Sequence, residues 1–337
     1  MSDDSQVDVQ SHCCVSCSHG EPTDTVIAIQ HNQPVSSRRE SANVLTDVRA
    51  RISEAVRTVK ATTPLAQSFT NFVTINLVAN AQLAAGGTAA MSFLPDDVID
   101  TASIAGADYI NIGTLLPFYK DALPQIARAF HKAAHPWVLD PVAAGIGATR
   151  TEILRSFRAA PPTIVRGNAS EIIALATMWG LCNDTVQSAD STDSADCATT
   201  RPAGVESVDD VDTAAAAARQ LARFLATSAP HKQAAVAVSG EIDLVTDGEH
   251  TYRLPGGSAM MTKITGAGCS LGGVTATYLA VAEPLIAALA ASLLFNRASE
   301  IAEQQSNGPG TFQPRFLDAL WKLTPEQVAD SPIIVTQ

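Results

Sequence analysis

Tyr109-Ile-Asn-Ile-Gly-Thr-Leu115 is an apolar run of strand length, and Phe118–Ala134 after it carries helical spacing. Trp137-Val-Leu-Asp-Pro-Val142 is apolar again, followed by helical spacing over Thr151–Arg158. The unit recurs with Thr163–Arg166 and Asn168–Met178. Apolar runs that lack polar alternation suit strands buried on both faces, and the helical stretches between them suit the crossovers of a parallel sheet. The predicted fold is α/β, a mostly parallel central sheet with helices on both faces.

Farther along, the pattern predicts a helix over Asp212–Ala226, a strand over Ala234–Ser239 and shorter strands at Ile242–Thr246 and His250–Leu254. Helices are predicted near 268–281, 285–305 and 314–322, giving one domain over 46–330. Residues 1–45 are polar and aperiodic, which predicts a disordered extension. Asn183 to Asp210 is mostly Asp, Ser, Thr and Ala, which predicts a flexible polar insert at about 183–202.

Of the 337 residues, 46% are hydrophobic and 17% charged, as a globular chain with a sizeable core requires. The net charge of −12 argues against a nucleic-acid partner, which needs a basic surface. The first residues are polar and acidic, so no secretory signal is expected. Val274–Phe295 is broken by Glu283 and Pro284, which predicts two core helices and no membrane partner. The cysteines form no disulfide framework, so a reducing, cytoplasmic setting is expected. His12-Cys-Cys-Val-Ser-Cys-Ser-His19 offers thiolates and imidazoles for Zn²⁺, but no second ligand pair lies at finger spacing. His31, His131, His135, His231 and His250 match no ligand spacing and are expected on the surface or in loops.

Four segments carry chemistry. In Lys263-Ile-Thr-Gly-Ala-Gly-Cys-Ser-Leu-Gly-Gly273, a Gly-rich turn leads into an apolar helix. The amides of Gly266, Ala267, Gly268 and Cys269 at such a helix start could hold an anion, although a plain loop-to-helix junction uses the same residues. Asp140 closes an apolar strand, where a carboxylate could hold a metal, and Asp before Pro141 also suits a simple turn. Asn168 and Glu171 have the spacing of a capping box, and Glu171 could in addition act on a nearby Mg²⁺. Arg166 at the preceding strand end could pair with phosphate or lie in solvent. Asn71, Asn76 and Asn80 sit in an apolar run, as either a cap and turn or a pocket wall.

Seven stretches in order resemble the hydroxyethylthiazole kinase family: Phe69–Asn80, Gly106–Leu115, Leu139–Val142, Val165–Ile172, Val238–Asp243, Lys263–Cys269 and Gly308–Gln313. The resemblance covers roughly 46–182 and 203–325. It implies a ribokinase-like fold without a β lid, and a homotrimer with active sites between subunits. It implies transfer of phosphate from ATP, with Mg²⁺, to the hydroxyethyl group of 4-methyl-5-(2-hydroxyethyl)thiazole for thiamine salvage. It places Arg166 and Ser239 on the nucleotide, Met91 and Gly266 on the thiazole, and Asp140 and Glu171 beside the metal. Cys269 stands at the catalytic base, where ribokinase-like enzymes more often have Asp. Gln67 and Ser68 stand where many relatives have His and Ile, Ser239 replaces a commoner Thr, and Val142–Gly147 is less Gly-rich than usual.

A helix start lowers a thiol pKa, so some Cys269 thiolate is expected at neutral pH. The same fold hosts kinases for hydroxymethylpyrimidine or pyridoxal and a dehydratase for hydrated nicotinamide cofactors. A binding protein without catalysis is a further alternative.

Overall fold

The computed structural model describes residues 35–181 and 208–336. The Cys-His stretch at 12–19, Cys182, Cys197 and the insert at 183–202 lie outside the described residues. The chain runs α1 (Val35–Thr62), β1 (Leu65–Phe69), α2 (Ile75–Ala85), β2 (Thr88–Met91), α3 (Pro95–Thr101), β3 (Ala107–Asn111) and α4 (Tyr119–Ala133). It continues through β4 (Trp137–Asp140), α5 (Ala148–Ser156), β5 (Ile164–Asn168), α6 (Ala169–Met178), α7 (Val208–Ser228) and β6 (Ala235–Ser239). It closes with β7 (Ile242–Thr246), β8 (Thr251–Pro255), α8 (Ala267–Leu279), α9 (Pro284–Gln304), α10 (Pro309–Lys322), α11 (Pro325–Ala329) and β9 (Ile334–Thr336).

The described strands form one sheet in the order β2-β1-β3-β4-β5-β6-β7-β8-β9. Pairing is parallel from β2 to β6 and antiparallel from β6 to β9. Successive strand residues enter opposite cores. Tyr109, Val138, Ile164 and Ala235 pack with α1, α2, α8, α9 and α10, while Ile110, Leu139, Val165 and Val236 pack with α4, α5, α6 and α7. Both faces are covered, so the strands read as continuous apolar runs, and the predicted mostly parallel α/β fold holds.

Boundaries moved for physical reasons. β3 stops at Asn111 rather than Leu115, because the Asn111 side chain accepts from the Gly113 amide at 2.8 Å and turns the chain. β4 stops at Asp140, since Pro141 has no N–H for a further ladder bond. α10 begins at Pro309 instead of near 314: proline at the first helical position gives up a bond that the helix start lacks anyway. α1 begins at Val35, so residues 35–45 of the stretch predicted as disordered are helical. β1, β2, α3, α11 and β9 were not predicted; they are short and carry little periodicity.

α9 is long and apolar enough to cross a membrane, but 72% of its apolar window is buried in the fold. It packs between α8 and α10 as a core helix, as the break at Glu283-Pro284 predicted. β1 lies between β2 and β3. The helix after β1 covers one face and the helix after β3 covers the other. The carboxyl ends of β1 and β3 therefore border the crevice where open α/β sheets bind ligands.

Candidate active site

Asp140 ends β4 with no solvent exposure, next to Asn111 in the ladder. Its Oδ2 accepts from Tyr109 Oη at 2.9 Å, Asn111 Nδ2 at 3.1 Å and Arg166 Nη1 at 3.4 Å. Its Oδ1 has no hydrogen-bond partner. Burial pushes the Asp140 carboxyl up, against Arg166, Tyr109 and Asn111, which favour the charged form.

Arg166 is buried in β5, and its Nη2 donates to Ser239 Oγ at 2.7 Å. Of the two sequence readings for this arginine, a solvated surface position is excluded. Its guanidinium lies against α8, where a Cβ on Gly268 would stand 2.8 Å from Nη1. Burial works against the charge of Arg166, but Asp140 and Glu171 outweigh it and leave the group more basic than usual.

Glu171 forms the predicted capping box: Asn168 Oδ1 accepts from the Glu171 amide at 2.9 Å, and Glu171 Oε2 accepts from the Asn168 amide at 2.9 Å. Its Oε1 accepts from the amide of Ala143 at 2.9 Å, at a residue held in the left-handed region with φ of 58°. Burial and then Asp140 raise the Glu171 carboxyl, opposed by those two amides. The carboxylate thus ties the loop after β4 to the start of α6, beside Asp140.

Cys269 sits in the first turn of α8. Gly266 caps this helix at φ of 90°, in the left-handed region that favours glycine. A Cβ there would also stand 2.7 Å from Thr74 Cγ2. By helix geometry the amides of Ala267, Gly268 and Cys269 have no intrahelical carbonyl, while Ser270 N already donates to Gly266 O at 2.8 Å. The Cys269 sulfur accepts from Asn111 Nδ2 at 3.2 Å and Asn71 Nδ2 at 3.4 Å. Here the sequence expectation needs correction. Burial, and then the Asp140 carboxylate, push the Cys269 thiol up, outweighing Thr74, Arg166 and Asn71, which favour the thiolate. The thiol is therefore protonated at neutral pH in the ligand-free chain.

The floor beneath α8 is Tyr109. A Cβ on Gly272 would stand 2.2 Å from Tyr109 Cε2, so that glycine lets the helix settle onto the ring. The hydroxyethylthiazole kinase family profile matches residues 56–206 and 199–326, which together span most of the chain. The chain belongs to that family. It is 71% identical over 294 residues to a hydroxyethylthiazole kinase of Bifidobacterium adolescentis, covering 87% of this chain and 97% of that one. It is 68% identical over 295 residues to a hydroxyethylthiazole kinase of Bifidobacterium longum subsp. infantis, covering 86% of this chain and 91% of that one. Among solved structures, a hydroxyethylthiazole kinase protein from Pyrococcus horikoshii OT3 superposes with a TM-score of 0.71 at 27% identity, over 85% of this chain and 99% of that one.

Of the residues singled out in the sequence, the structure brings together Asp140, Arg166, Ser239, Glu171, Gly268 and Cys269. Met91 ends β2, paired in register with Ser68 of β1, and packs against the core cluster that α8 shares. Sequence reasoning gave no role to Tyr109, Asn111 or Arg150. Arg150 donates to the carbonyls of Ile112 at 3.3 Å and Gly113 at 3.0 Å, fixing the loop after β3. A signal existed for Asn111: an amide side chain closes a buried apolar strand one ladder position from Asp140. Asn71 was weighed as part of a cap and turn or as a pocket wall; its carbonyl accepts from the Thr74 amide at 3.1 Å in the turn before α2, and its side chain contacts Cys269. His135 lies in a loop, as expected, but is half-buried there; its Nε2 lies 2.6 Å from Asp108 Oδ2, at the other end of β3.

Proposed function

We propose that the chain transfers the γ-phosphoryl group of ATP to the hydroxyethyl group of 4-methyl-5-(2-hydroxyethyl)thiazole. The observation that carries the reading is one buried cluster in which Asp140, Arg166 and Cys269 meet at the start of α8. In the transfer, the acceptor oxygen bonds to the γ-phosphorus, the bond to the β,γ-bridging oxygen breaks, and the hydroxyl proton leaves. Arg166 and Ser239 bind the nucleotide, and the Ala267, Gly268 and Cys269 amides face the oxygens of the transferred group. Cys269, through the minor thiolate fraction present near neutrality, orients the hydroxyl and takes its proton late, when the forming bond has made it acidic. A base used so late contributes about 10²-fold or less. Met91 and Gly266 line the thiazole side.

Mg²⁺ fits the donors present. The Oδ1 of Asp140 is a buried carboxylate oxygen without a partner. Among the described residues no group of three or more His, Cys, Asp or Glu gathers for a metal. Mg²⁺ needs only one or two carboxylates besides phosphate oxygens and water. Asp140 would hold the ion directly, and Glu171, whose oxygens serve backbone amides, would add its charge. When bound, the ion supplies neutralisation of the phosphate charge.

The assembly in this reading is a cytoplasmic homotrimer of single kinase domains with sites between subunits. Phe72 and Phe118 support it, since each is 45% exposed on the loops beyond β1 and β3, leaving apolar surface at the rim for a second subunit. The test is coupled ADP release from Mg-ATP with and without the thiazole alcohol. Thiazole-dependent turnover above about 0.1 s⁻¹ supports the reading. Turnover only with a pyrimidine or pyridoxal alcohol replaces the substrate, and saturable binding without ADP release replaces the function.

A further inference from the structure

We propose that Asn111 is a positioning residue that holds the Cys269 sulfur where the acceptor hydroxyl meets it, an inference that rests on the kinase reading above. Asn111 is 1% exposed, and the direction of its amide is fixed. The Gly113 amide can only donate, and it does so to Asn111 Oδ1 at 2.8 Å. The same oxygen accepts from Asn71 Nδ2 at 3.1 Å. The amide nitrogen must therefore face inward, where it lies 2.8 Å from Tyr109 Oη, 3.1 Å from Asp140 Oδ2 and 3.2 Å from Cys269 Sγ.

Those three acceptors do not depend on Asn111 equally. Asp140 Oδ2 also accepts from the Tyr109 hydroxyl at 2.9 Å and from Arg166 Nη1 at 3.4 Å. The sulfur's other amide neighbour is Asn71 Nδ2, farther away at 3.4 Å and also bonded to Asn111 Oδ1. Losing Asn111 thus removes the nearer amide from the sulfur and releases the farther one from its anchor. Cysteine has a single heavy-atom torsion, so contacts on two sides select one rotamer. In the first turn of α8, that rotamer decides whether the sulfur or empty space meets the hydroxyl. The Asn side chain alone gives an acceptor to the loop and donors to the sulfur at this length: Asp lacks the donors and Leu lacks both.

The experiment is a double-mutant cycle of Asn111→Ala with Cys269→Ala in thiazole-dependent ADP release, with melting temperatures for every variant. In the wild-type background kcat should fall about 30-fold, the loss of hydrogen bonds at a reacting group, with the KM for ATP within about threefold. In the Cys269→Ala background the same substitution should lower kcat less than about threefold, because the group it positions is gone. Equal losses in both backgrounds, or a change in KM alone, overturn the proposal. Asn111→Asp keeps the volume and the loop acceptor, so it replaces the alanine variant if that one does not fold, with the same expected split. Wild-type turnover tests the kinase reading separately. Iodoacetamide alkylation of Cys269 at one pH without nucleotide, resolved by peptide mass spectrometry, reports the sulfur's placement whatever the substrate. Asn111→Ala should change that rate at least about threefold, by releasing a restricted rotamer, and an unchanged rate also overturns the proposal.

Discussion

Gly272→Ala puts a methyl group where Tyr109 already is. The new Cβ would lie 2.2 Å from Cε2, 2.6 Å from Cζ and 2.9 Å from Oη of a ring that has no exposed surface. Two effects oppose each other. Alanine in a helix interior gains about 1 kcal/mol over glycine. Forcing an extra methyl into a packed core costs about 1–3 kcal/mol, and a contact this short inside a rigid β3–α8 seat belongs at the upper end. The net loss of about 1–2 kcal/mol lowers the melting temperature by roughly 2–6 °C for a chain of this size. The ring cannot yield without moving its hydroxyl from Asp140, now 2.9 Å away, so kcat should fall as well. Gly310→Ala is the control, because nothing lies within 4 Å of its Cβ and the helical gain stands alone. Thermal melts of both variants and thiazole-dependent ADP release decide the matter. A Gly272→Ala protein that melts at or above the wild type with unchanged kcat would show that α8 does not rest on Tyr109.

Other perturbations read different parts of the fold. Arg166→Ala should raise the KM for ATP and lower the melting temperature, since it leaves buried Asp140 without its counter-charge; an unchanged KM removes Arg166 from the nucleotide site. Asp140→Asn removes a charge that raises the Cys269 thiol, so the pH profile of Cys269 alkylation should shift to lower pH, and a shift to higher pH refutes that coupling. Burial holds the Asp108 carboxyl above its usual range despite the His135 contact. The folded chain therefore keeps that proton more tightly than the unfolded chain. Its stabilising effect is complete below the unfolded value of about 4 and is lost as pH rises through the folded value. The melting temperature of the wild type minus that of Asp108→Asn should fall from pH 4 upward; a difference that grows with pH would mean the His135 contact dominates.

What the sequence showed and what it hid follow from the range of each interaction. The strands at Trp137, Thr163 and Ala234 were legible because burial on both faces leaves an apolar run with nothing else to decode. The capping box was legible because Asn168 and Glu171 are three residues apart and answer each other locally. Asn111 and Cys269 are 158 residues apart, and no local rule links an amide at a strand end to a thiol at a helix start. The direction of the Cys269 shift was misread for a related reason. Helix position is written in the sequence, but the neighbouring Asp140 and the burial that outweigh it come from folding. His135 was placed correctly in a loop between a helix and a strand, but its partner, a carboxylate at the far end of β3, is 27 residues away and not legible.

Cys269→Asp tests how the site manages its proton. The sulfur position is met by amide donors from Asn111 and Asn71, and it lies in the first turn of a 13-residue helix. Donors and a helix start favour a negative charge there. The thiol still stays protonated near neutrality, because burial and Asp140 together outweigh them. A carboxylate starts from an ordinary value near 4 rather than near 8.5, so the same penalties leave it ionised at neutral pH. The Asp variant should therefore keep substantial kcat with little dependence on pH between about 6 and 8, while wild-type kcat rises with pH as thiolate forms. Cys269→Ala should retain turnover reduced by about 10²-fold or less, since positioning and charge stabilisation carry most of phosphoryl transfer. Steady-state ADP release across that pH range separates the three proteins. An inactive Asp variant beside a fully active Ala variant would sink the proton-accepting role and leave Cys269 as packing for the turn.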